Sequence, residues 1–87
     1  MHAVVVDVTV NDREASLAAL REQVVPMVSS VPGFVAGYWM EAGPSNGHSI
    51  AVFESEDAAR AVAGRVEAPD GNVTIDNVEV REVVAHA

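Results

Sequence analysis

The sequence contains no cysteine, which excludes disulfides and thiolate metal sites at the outset. Lysine is missing too. The only cations are Arg13, Arg21, Arg60, Arg65 and Arg81, set against 13 acidic residues for a net charge of −8. Nucleic acid requires a basic footprint, and these scattered arginines do not make one. The same balance argues against an anionic membrane surface as partner. Aromatics are scarce: Phe34, Tyr38, Trp39 and Phe53 are all there are. No apolar run approaches the ~20 residues that cross a bilayer. Residues 1–10 are apolar, but they lack a cationic leader, carry Asp7, and precede no small-residue cleavage pattern. They read as a strand, not a signal peptide, and the chain is expected in the cytoplasm.

What is present fits one domain spanning residues 1–87. Apolar residues make up 49% of the chain. With so few aromatics, the core must be built mainly from valine and alanine. A thin core without covalent staples commonly finds further burial in an oligomer interface.

Along the chain, residues 3–10 (AVVVDVTV) are β-branched and predict a strand. Asn11 followed three positions later by Glu14 predicts a helix start, and Leu17, Leu20, Val24, Val28 and Val31 supply its apolar stripe. Pro26 interrupts that stripe, so the helix either kinks there or stops near Val25. Residues 34–41 and 49–54 predict two further strands around a turn-rich segment at residues 43–47. Ser55, Glu56 and Asp57 open a second helix with Ala59, Val62, Ala63 and Val66 on its apolar side. A turn at residues 69–72 leads into a long last strand over residues 73–84. The order β-α-β-β-α-β places both helices on one face of a four-stranded antiparallel sheet, with strands one and three central. The opposite face is left bare, and a second subunit is its simplest cover.

Residues 32–39 (PGFVAGYW), a hairpin, and then residues 51–59 (AVFESEDAA) resemble the dimeric α/β-barrel superfamily, the group that includes antibiotic-biosynthesis monooxygenase-like domains. The resemblance spans essentially the whole chain, and its motifs specify fold far better than chemistry. It implies a homodimer with facing sheets and a pocket in each subunit. It further implies roles that range from cofactor-independent monooxygenases through heme-degrading enzymes and small isomerases to proteins of unknown role. The heme-degrading branch carries an Asn in the first strand and a His on the second helix. Here the first strand has Asp7 and the second helix has no histidine, so no cofactor is expected.

Polarity assigns the strand faces. Val4, Val6, Val8 and Val10 are expected to meet the helices, as are Phe34, Ala36, Tyr38 and Met40, then Ile50 and Val52, then Val78, Val80 and Val84. The other face then collects Asp7, Thr9, Trp39, Glu41, Phe53, Asn77, Glu79 and Arg81. Asp7 stands out, because a carboxylate in a valine strand is costly to desolvate unless paired. Pairing His2 with His86 would set Asp7 opposite Arg81. Asp7 is thus either structural, as half of an ion pair or an Asp in a solvated cavity, or functional, as a general base or a polar anchor for a small substrate; Asn77 on the same face is the second candidate catalytic residue. Trp39, Phe53, Thr9 and Arg81 are the candidate ligand contacts. His2, His48 and His86 are not placed to form a metal site. Two functions fit: a cofactor-independent enzyme acting on a small apolar or aromatic metabolite, or a non-catalytic dimeric ligand-binding domain.

Overall fold

The computed structural model describes residues 1–67 and 71–87, so the turn expected at residues 69–72 lies partly outside the described residues. The strands are β1 (His2–Val10), β2 (Phe34–Gly43), β3 (Asn46–Phe53) and β4 (Val73–Glu82). Between β1 and β2 runs one helical stretch made of α1 (Arg13–Ala19), a π-helical segment (Leu20–Val24) and α2 (Val25–Ser29). The second helix of the expected order is α3 (Glu56–Ala63). The antiparallel sheet has the order β2-β3-β1-β4, with strands one and three central as expected.

Proline decides the shape of the first helical stretch. Pro26 has no N–H to give an α-helical bond. The chain neither stops nor breaks there. It widens just before the proline, and the Val25 N–H reaches back five residues to the Leu20 carbonyl. At the helix start, the cap is Asp12 and not Asn11: its carboxylate accepts from the Ala15 N–H at 3.1 Å. The Asn11 amide instead donates to the Gly71 carbonyl (3.1 Å) and to Thr74 Oγ1 (3.0 Å), tying the helix start to β4. Ser55 caps α3 as expected, accepting from the Ala58 N–H at 3.1 Å.

The core lies between the sheet and the helices. It consists of Val4 from β1, Ala51 and Phe53 from β3, Val28 from α2, and Ala59 and Val62 from α3. Phe53 is fully buried, and the Phe34 ring meets it edge to face with centroids 5.9 Å apart. Both helical layers therefore cover the same face.

The face assignment holds for β1 and for Val78 and Val80 of β4, which pack on the core. Phe34 also meets the core as expected, but the assignment inverts in the rest of β2 and in β3. Ala51 and Phe53 face the helices, and so do Trp39 and Glu41, while Tyr38 is 63% exposed on the other side. The cause in β2 is a register shift between Phe34 and Ala36, which lets Phe34 and Trp39 share a face despite their odd spacing. In β3 the alternating sets are equally mixed, Gly47, Ser49, Ala51 and Phe53 against Asn46, His48, Ile50 and Val52, so polarity could not discriminate between them. Val84 lies beyond β4 and is 93% exposed, not packed under a helix.

The expected Asp7–Arg81 pair is also corrected. β1 and β4 pair with His2 opposite Glu82, which sets Asp7 opposite Asn77 and Ala3 opposite Arg81. Arg81 turns along its own strand to Glu79, with its Nε 2.9 Å from the carboxylate. A second irregularity between Asp7 and Val8 lets the β4 residues Ile75 and Val73 rejoin the helix side.

Candidate functional site

Where the helical stretch passes over the sheet, side chains are too short to fill the gap. Leu17, Leu20 and Val24 form the expected stripe, yet neither α1 nor the π segment buries a residue. Beneath them opens a cleft of about 430 Å³. Its floor is Val6, Val8 and Val10 of β1 and Ile75 of β4, and Trp39 forms the wall on β2. Polar groups gather at its rim, above all Arg13 and Glu41, whose side chains form an ion pair between α1 and β2. An apolar interior with a few polar groups at the mouth is the usual composition of a small-molecule site.

The position of the indole depends on a glycine. Gly37 lies two residues before Trp39 on the same face. A methyl group there would sit 2.8 Å from both Cη2 and Cζ3 of Trp39, closer than any real contact. The absence of a side chain at position 37 lets the indole lie over the strand and leave the cleft open. Gly47 acts similarly nearby, where an added Cβ would meet a Val8 methyl at 2.9 Å.

The candidate residues divide between two faces. Trp39 lines the cleft, and Phe53 is fully buried in the core with no surface left for a ligand. Asp7, Thr9, Asn77 and Arg81 lie on the open face of the sheet. There the registers draw Met40, His48, Asp7 and Asn77 into one row across all four strands. His48 Nδ1 is 2.6 Å from Asp7 Oδ1, so Asp7 has its partner on β3 and not on β4. Thr9 Oγ1 donates to Asp76 at 2.7 Å. Glu79 is held below the usual glutamate range, first by its bond from the Arg81 guanidinium and then by the Asn77 amide. This row, with Met40 exposed at one end, is flanked by the exposed Tyr38 and by the half-buried Ile50, Val52 and Val5.

Sequence reasoning missed His48, because its meeting with Asp7 depends on the β1–β3 register. It also set Glu41 on the open face and did not single out Arg13. The available signal was their opposite charge, but only the fold brings residues 13 and 41 together.

The second helix does not supply the heme ligand that the resemblance implies. α3 (EDAARAVA) offers no histidine, cysteine, methionine or tyrosine as an axial ligand. The His48 ring is turned to Asp7 on the far side of the sheet.

No protein-family model matches the chain, and no curated protein matches it. Solved structures share its fold. SnoaB from Streptomyces nogalater, a cofactor-independent oxygenase, superposes with a TM-score of 0.74 at 17% identity over 98% of this chain and 94% of its own. NE2512 from Nitrosomonas europaea, a protein of unknown function, gives 0.72 at 22% identity over 99% and 91%. A MhuD variant solved with two manganese protoporphyrin IX molecules per active site gives 0.69 at 16% identity over 100% and 98%. At these identities the likeness establishes the ferredoxin-like fold that the sequence resemblance implied.

Proposed function

We propose that this chain binds a small, apolar, ring-bearing metabolite in the Trp39 cleft and oxygenates it without a resident cofactor, as a homodimer closed through its open sheet face. The observation that carries this reading is the cleft itself: an apolar gap of about 430 Å³ against the sole tryptophan of the chain. An indole wall and a valine floor favour a flat hydrocarbon-rich ligand, and the rim of Arg13 and Glu41 meets its polar end. The shared fold with a cofactor-independent oxygenase supports the choice of reaction class. Without a cofactor, the electrons for dioxygen come from the substrate, which calls for an electron-rich, ionisable ring.

A thermal-shift screen of planar phenols, starting with 1-naphthol, tests this reading. A ligand that binds only the folded state raises the melting temperature. The shift is expected in the wild type and lost in Trp39→Ala, and dioxygen uptake should accompany turnover of the true substrate. Hits that bind Trp39→Ala equally well would remove the cleft from consideration.

One observation favours a second reading, that of a non-catalytic binding domain. The candidate catalytic residues Asp7 and Asn77 lie across the sheet from the cleft and do not line it, and the His48 ring is turned to Asp7. Tight binding without dioxygen uptake would select this alternative.

A further inference from the structure

The helical stretch is fastened unevenly. At its start, the backbone N–H groups of Asn11 and Asp12 both donate to the Asn72 carbonyl, at 2.9 and 3.1 Å, on the β4 side. At its end, Val28 of α2 is sunk in the core. Between these anchors, α1 and the π segment bridge the cleft with no fully buried residue, Leu17, Leu20 and Val24 being half-buried. On the β2 side, an ion pair fastens the bridge to the sheet: the Arg13 guanidinium on the Glu41 carboxylate. Among the described residues this is the only ion pair that joins a helix to the sheet. Both side chains are 63% exposed and both line the cleft.

We propose that the Arg13–Glu41 pair is a gate, and that ligands reach Trp39 by parting it while α1 swings away from β2 about its β4-side tether. Three features combine to this end. An exposed ion pair is weak enough to open thermally and is screened by salt. The π segment leaves the helix irregular beside the cleft, where Pro26 already denies it one backbone bond. No fully buried side chain has to be withdrawn for α1 to move. The gate admits uncharged apolar molecules once parted, and it narrows the approach to the half-buried indole when closed. It rests on reading the cleft as a ligand site, but its motion can be measured without any ligand.

Trp39 is the only tryptophan, so acrylamide quenching of its fluorescence reports access to the cleft directly. Glu41→Gln and Arg13→Gln are each expected to raise the quenching constant by about 1.4- to 5-fold, the range over which an exposed pair biases an equilibrium. Added salt should raise it in the wild type and have no effect in Glu41→Gln. Because the chain has no cysteine, Arg13→Cys/Glu41→Cys can be bridged selectively by a short bis-maleimide, which should lower quenching below the wild-type level. Equal quenching in wild type, both charge variants and the bridged protein would overturn the gate. So would a salt response that persists in Glu41→Gln. If the quenching series behaves as expected while 1-naphthol fails to bind the wild type, the gate stands and the ligand reading falls.

Discussion

Gly37 and Trp39 show how much of the site rests on single residues. With an added Cβ only 2.8 Å from the ring, Gly37→Ala forces the indole off the strand and into the cleft. The substitution is expected to shift the tryptophan emission maximum and to cost about 1–3 kcal/mol in urea unfolding, as overpacking does. An unchanged emission maximum would show that the ring does not depend on that gap. Trp39 itself was legible in the sequence as a candidate contact; its face was not. That face is set by a one-residue shift at the start of β2, and no local preference announces the shift. Asp7 was legible as anomalous for the same reason that it needs a partner, but the choice between Arg81 and His48 belongs to register.

At the scale of elements, the signals that rest on backbone chemistry read well. Ser55 with Glu56 and Asp57 marks the start of α3, and the hydroxyl accepts from the Ala58 N–H as that chemistry requires. Ser55→Ala is therefore expected to cost about 0.5–2 kcal/mol, with Ser55→Asp restoring most of it in the same thermal or urea melts. A silent Ser55→Ala would mean that α3 is held by packing of Ala59 and Val62 alone. The first helical stretch was legible only in outline. Pro26 left a kink and a stop equally open, and the π turn that resolves them depends on where Val28 must land in the core. Competition between Asn11 and Asp12 for the cap was settled at a distance, because Asn11 is taken up by Gly71 and Thr74.

For the whole molecule, the unequal faces of the sheet carry the argument. One face meets the helices; the other presents Tyr38 at 63% and Met40 at 45% exposure beside Ile50 and Val52. A second copy laid against that face would bury these side chains and bring two Asp7–His48 rows together. Tyr38→Glu places an unpaired carboxylate at that contact and is expected to weaken self-association on the order of a hundredfold, about 3 kcal/mol. Sedimentation velocity across a concentration series measures this. A wild-type chain that sediments as a monomer at micromolar concentration would overturn the dimer.

By itself, the sequence determined the element order, the one-sided helical cover, and the central place of strands one and three. These follow from apolar periodicity, capping chemistry and crossover handedness, all of which act over short stretches or leave few topologies open. Only the tertiary structure decided which side of β2 and β3 meets the helices, which partner Asp7 takes, and that Arg13 and Glu41 meet over a cleft. Side-chain alternation in a strand has a period of two, so one shifted residue exchanges its faces while composition and hydropathy stay the same.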